Sequence, residues 1–83
     1  MRVTIECHGV FRSLCGAEYT VEIGGGAATV ADALAALADA VPETAGHLPR
    51  TACAAGDTLV DRDTPVEDGD RLALIPPVSG GQK

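Results

Sequence analysis

Val30, Leu34, Leu37 and Val41 recur at spacings of four, three and four, which puts them on one face of a 3.6-period helix. Thr29 precedes them, with Asp32 three residues on, the spacing of a capping box. Alanines at 31, 33, 35, 36, 38 and 40 supply helix propensity. Pro42 cannot continue a helix interior, so the helix ends near Ala40 or Val41. A lone amphipathic helix cannot bury its stripe by itself. It must lie across a sheet, and the rest of the chain has to supply that sheet.

The flanking patterns do so. From Arg2 to Val10, Val3, Ile5 and Cys7 alternate with Thr4, Glu6 and His8, as in a half-buried strand. Tyr19, Val21 and Ile23 alternate with Thr20 and Glu22 as a second strand, and a loop over 11–17 makes the two a hairpin. Gly24-Gly25-Gly26 lacks the Gly-Lys-Ser/Thr ending of a phosphate loop and reads as a linker. Past the helix, 43–50 reads as a loop with room for one short turn and with His47 facing solvent, 51–55 as a weak strand and 58–60 as a short one. Asp68-Gly69-Asp70 is a tight turn. The last strand, Arg71 to Ile75, sends Leu72 and Leu74 one way and Ala73 and Ile75 the other. The order predicts an α+β fold of the β-grasp type, a ubiquitin-like roll. Its mixed sheet packs on one main helix, with the final strand beside the first.

At 83 residues there is room for one domain. Its core must be aliphatic, because Trp is absent and Phe and Tyr occur once each. Twelve acids against six basic residues exclude a nucleic-acid surface. Residues 57–70 alone hold six acids and one base, Arg62. That run reads either as a solvated face or as a surface steering a basic partner. No apolar stretch is long enough for a membrane helix, and no basic-then-apolar opening marks a signal peptide, so a cytoplasmic location is expected. Cys7, Cys15 and Cys53 form no Cys-x-x-Cys pair and read as buried hydrophobes of a reducing compartment. A metal corner at Cys7-His8 is the minor alternative, and no metal is expected.

After Ile75 the chain reads Pro76-Pro77-Val78-Ser79-Gly80-Gly81-Gln82-Lys83. Residues 1–75 are therefore read as the folded domain and 76–83 as a flexible tail. Two prolines stiffen its base. From Pro77 to Gly81 it reaches about 13 Å at ~3.3 Å per residue. Two residues without side chains can enter a channel that any Cβ would block.

The run from Asp68 to Gly81 resembles the C-terminal signature of the molybdopterin synthase small subunit family (MoaD) and its ThiS-like relatives: an Asp-Gly-Asp turn, an apolar strand, then Pro-Pro-Val-Ser/Thr-Gly-Gly. Arg12-Ser13-Leu14-Cys15-Gly16 is similar to an upstream family segment, and 29–34 to the family's helix start. The resemblance implies a sulfur carrier that binds no cofactor itself. A ubiquitin-activating-type adenylyltransferase would use ATP to adenylate Gly81, and sulfur would then give a thiocarboxylate. The tail, with Gly80 as its second narrow residue, would enter the large synthase subunit and donate sulfur in molybdopterin synthesis. Ile75, Pro76, Pro77, Val78 and Ser79 would form the docking edge, with core packing the alternative for Ile75.

The chain departs from that pattern twice. Gln82 and Lys83, the latter its one lysine, follow the second glycine. Either a peptidase removes them, or they are a cloning remnant, or the chain is inactive in sulfur transfer. Cys7 and His8 stand where the family carries bulky apolar residues. Two other readings stay open: a carrier for another pathway (thiamine, cysteine, thionucleoside or a thiocarboxylate metabolite), and a ubiquitin-like modifier joined through Gly81 to a lysine of another protein.

Overall fold

The computed structural model describes residues 1–77. Strands β1 (Arg2–Glu6) and β2 (Glu18–Glu22) form an antiparallel hairpin with Val3 opposite Val21. Between them lies a short helix, α1 (Val10–Cys15). A two-residue strand, β3 (Ala28–Thr29), leads into the main helix, α2 (Val30–Ala40). Two 3-10 turns, Pro42–Thr44 and Leu48–Arg50, precede β4 (Ala52–Ala55) and β5 (Thr58–Val60). Then come β6 (Pro65–Val66) and β7 (Arg71–Ile75). The main sheet has the order β2-β1-β7-β4-β5, and β3 pairs with β6 in a separate ribbon.

The sheet is mixed because β7 lies parallel to β1, Ile5 beside Leu72, while the other pairs run antiparallel. This is the β-grasp arrangement expected from the order of patterns. Helix α2 lies on one face and buries Val30, Ala33, Leu34 and Leu37. Its start is the capping box: the Asp32 carboxylate accepts from Thr29 N at 2.9 Å, and Thr29 Oγ1 accepts from Asp32 N at 3.4 Å. It ends at Ala40, with Val41 donating back to the Leu37 carbonyl just before Pro42. Val3, Ile5, Leu72 and Leu74 face α2, each at most 2% exposed.

Several local expectations are corrected. The first strand stops at Glu6, short of Val10, because Gly9 takes φ 60 and turns the chain. The expected loop over 11–17 is instead helical as far as Cys15, as part of α1, and Phe11 on it is fully buried. A helix of six residues is too short to print a 3.6-residue period in the sequence. His47 does not simply face solvent. It is half-buried, its ring edge-on to Phe11 with centroids 6.0 Å apart. The 43–50 segment carries two 3-10 turns, pinned by the buried hydroxyls of Thr44 and Thr51, which donate to the Val41 and His47 carbonyls at 2.8 Å.

Candidate functional site

β7 carries the tail. Its alternation buries Leu72 and Leu74 against α2 and turns Ile75 outward, 43% exposed. Core packing is thus not the role of Ile75. Pro76 is half-buried and Pro77 exposed. Val78, Ser79, Gly80 and Gly81, and the Gln82-Lys83 extension, lie outside the described residues.

The helix-free face of the sheet is divided in two. Register places Glu18, Glu6, Ala73, Ala54 and Leu59 in one row across all five strands. On the β2–β1 side that face is polar. Glu6 and Glu18 stand directly opposite each other, and Arg71 bridges both, donating to Glu6 at 3.1 Å and contacting Glu18 more closely still. The two carboxylates in turn hold the Arg71 guanidinium more firmly protonated than usual. On the β7–β4–β5 side the face is apolar: Ala52, Ala54 and Ala73, with Ile75 and the 68%-exposed Leu59. Leu59 was not singled out from the sequence. Its orientation follows from register, since Val60 pairs with Cys53 on the core side and leaves Leu59 outward with Ala54.

The sheet also has unlike ends. Where β7 begins, the Gly56 turn and the Asp68–Asp70 turn come together. Asp68 accepts from Arg2 N at 2.7 Å and Asp70 from Glu67 N at 2.8 Å, so two acids of the 57–70 run act as turn caps. The one base of that run, Arg62, points inward to the carbonyls of Leu48 and Thr51, each at 2.7 Å. Where β7 ends, a cleft of about 340 Å3 opens beside the tail root, lined by Gly9, Val10, His47, Arg50, Thr51 and the two prolines. Asp68 and Asp70 therefore sit at the end remote from the tail, and an arginine and a histidine line the cleft beside it.

The cysteines are poor nucleophiles. Burial pushes the Cys7 thiol up to about 11, with Cys15 and Glu18 adding to it, and burial also raises Cys15 and Cys53. Cys7 is buried and its Sγ lies 3.6 Å from the Ile5 carbonyl, whereas His8 is exposed, so the two do not converge on a metal. Among the described residues no group of three or more His, Cys, Asp or Glu side chains is placed to hold a metal ion. No helix among them is long and apolar enough to cross a membrane.

A family model described as the ThiS family matches residues 11–81. SAMP1 from Haloferax volcanii is similar in structure, with a TM-score of 0.84 and 27% identity over 98% of this chain and 100% of that one. A chain of the complex of subunits 1 and 2 of molybdopterin-converting factor from Helicobacter pylori aligns with a TM-score of 0.67 and 27% identity, over 98% and 100% of the two chains. A chain of the Amycolatopsis orientalis BexX/CysO complex aligns with a TM-score of 0.73 and 26% identity, over 95% and 99%. A search of the curated proteins finds no match.

Proposed function

The chain belongs to the ThiS family of ubiquitin-like sulfur carriers, and from that premise we propose that Gly81 is its sulfur-bearing residue and molybdopterin synthesis its pathway. The observation that carries the reading is where the family match stops. It runs past the last strand and through both glycines, and it ends at Gly81 with Gln82 and Lys83 outside it. The chemistry asks for a carboxylate at that point. A carboxylate is a poor acyl donor. On an adenylyltransferase partner, its oxygen attacks the α-phosphate of ATP and releases pyrophosphate, forming a mixed anhydride. A hydrosulfide-level sulfur donor then displaces AMP and leaves a thiocarboxylate on Gly81. With Gln82 and Lys83 attached that carboxylate is not on Gly81, so a native chain that carries them needs a peptidase to remove them first.

The fold supplies a base and a surface for this. β7 brings Ile75 to the apolar half of the sheet next to the tail root, and a partner gripping that half receives the tail beyond Pro77. The similarity to a chain of the molybdopterin-converting factor complex supports the molybdopterin pathway. The similarity to the BexX/CysO complex supports a second reading, in which the same carrier chemistry serves another sulfur acceptor.

The test is the intact mass of the protein from its native host. A species ending at Gly81, with one oxygen replaced by sulfur, is expected. Retention of Gln82-Lys83 in all of the protein overturns the carrier assignment. Sulfur transfer from the loaded species to the pyranopterin precursor, with the host's large synthase subunit, selects the molybdopterin pathway. Absence of transfer there selects the second reading.

A further inference from the structure

Gly9 joins β1 to α1 at φ 60 and ψ −130, a conformation essentially confined to glycine. The need for glycine there is not only conformational. A Cβ built on Gly9 would lie 2.8 Å from Cγ of Pro76, and 3.9 Å from its Cβ and Cδ. The Pro76 ring therefore sits directly on the bare backbone of Gly9, in van der Waals space that any other residue would occupy. Separations under about 3 Å between carbon atoms are deep in the repulsive range, and a proline ring cannot swing aside as a long side chain can.

Gly9 is itself held. Its carbonyl accepts from Arg12 N at 3.1 Å, in the first turn of α1. That helix is anchored by Phe11, fully buried in the core. The short helix thus acts as a bracket: Phe11 fixes it to the core, and Gly9 at its start offers a flat seat at the end of β7. Ile75 is the last residue of the strand. Pro76, with φ set by its ring, is the first residue whose direction the sheet no longer dictates.

We infer that Gly9 is a positioning residue for the tail: by seating the Pro76 ring it fixes the direction in which the chain leaves the fold at Pro77. This inference rests on the carrier reading for its functional consequence, because a tail that must thread a partner's channel has to leave at a defined angle. A displacement at Pro76 is carried into Pro77 along the stiff Pro76-Pro77 base.

The experiment is a double-mutant cycle of Gly9→Ala and Pro76→Ala in the full chain, with two readouts. The first is the set of backbone amide shifts of Ile75 and Val78, with residual dipolar couplings, in the isolated protein. The second is the fraction of each variant carrying sulfur at Gly81 in the native host, by intact mass. Gly9→Ala is expected to move the Ile75 and Val78 amides and to lower sulfur loading at least tenfold. Pro76→Ala removes Cγ, the atom in conflict. In that background Gly9→Ala is expected to cause no further loss beyond twofold. The positive-φ strain that Gly9→Ala introduces is the same in both backgrounds, so equal losses in the two overturn the seat, as does full loading of Gly9→Ala. Should Gly9→Ala fail to fold, Pro76→Ala alone decides: it leaves Gly9 untouched and is expected to shift Val78 and lower loading at least threefold, and unchanged couplings overturn the inference. Wild-type protein without sulfur rejects the carrier reading and leaves the amide readout to judge the seat.

Discussion

The guanidinium of Arg62 donates to the Thr51 carbonyl at 2.7 Å. The same group reaches the Leu48 carbonyl at 2.7 Å and Cys53 Sγ at 3.4 Å. A charge from the most acidic stretch of the chain thus holds the Leu48–Arg50 turn to the start of β4. Hydrogen bonds to a charged donor are each worth about 1.5–3 kcal/mol, and removing the donor strands half-buried carbonyls. Arg62→Met, which keeps the apolar stem, is expected to cost about 2 kcal/mol and to lower Tm by roughly 10 °C in a domain of this size. Arg62→Lys is expected to recover only part, since the shorter lysine offers one nitrogen where Nη2 serves both carbonyls and Nη1 also reaches Cys53 Sγ. Urea and thermal unfolding check this, and an unchanged midpoint for Arg62→Met removes the role.

The three thiols make stability fall in alkali. Cys7, pushed up to about 11 by burial, stays protonated in the fold at pH values where an unfolded cysteine, with an ordinary value of 9.0, is already ionised. Cys15 and Cys53 are raised in the same direction. A thiol whose folded pKa exceeds its unfolded one binds more protons when folded in that window. Its contribution is complete below about pH 9 and is lost as the pH rises toward about 11. The urea midpoint is expected to hold from neutrality to about pH 8.5 and then to decline. Cys7→Ala lowers the midpoint at neutral pH through lost packing but flattens the alkaline decline. An equally steep decline in that variant would show that Cys7 is not responsible.

What could be read from the sequence is what repeats over enough residues. β1 and β2 show four or more alternating positions each, α2 shows three turns of stripe, and Thr29 and Asp32 stand at the spacing that closes a capping box. The alternation of β7 was legible, Leu72 and Leu74 on one face and Ala73 and Ile75 on the other, but not which face is the core, so the outward direction of Ile75 came only with the assembled sheet. Short elements were not legible: α1 spans fewer than two turns, and β3 and β6 are two residues each, stabilised by pairing with one another and not by their own pattern. Contacts between distant segments were also hidden. Nothing local marks Gly9 as the seat of Pro76 or turns Arg62 inward from an acidic run, because in each case the partner is supplied by the assembled sheet. Leu59 was missed for the same reason, since the face of a three-residue strand is set by register with Ala54.

Gly81→Ala tests the narrow end of the tail. A channel fitted to two residues without side chains leaves no room for a methyl group, and Gly81 lies outside the described residues. Sulfur loading in the native host is expected to fall at least a hundredfold, about 2.7 kcal/mol, with Tm unchanged. A variant loaded as fast as wild type would sink the channel argument while leaving the fold assignment intact.

The divided face of the sheet gives a last prediction, about where the partner grips. Leu59 and Ile75 are the large apolar side chains exposed on the β7–β4–β5 half, at 68% and 43%. They lie over a floor of Ala52, Ala54 and Ala73, small residues that let a partner approach the backbone closely. An exposed apolar patch bordered by charge is the usual mark of a protein contact, and here Arg71, Glu6 and Glu18 form the border. Threonine has the β-branching that strands favour, so Leu59→Thr and Ile75→Thr are each expected to change stability by no more than about 0.5 kcal/mol. Burial of a large aliphatic side chain at an interface is worth about 1.5–3 kcal/mol. Each variant is therefore expected to weaken binding to the activating partner or to the large synthase subunit about tenfold or more, which calorimetric titration against the partner purified from the host would read. Thr20→Ala, on the polar half, serves as the control and is expected to leave affinity within twofold. Equal weakening by Thr20→Ala would mean that the partner covers the whole sheet, and no weakening by either apolar variant would move its grip off this face.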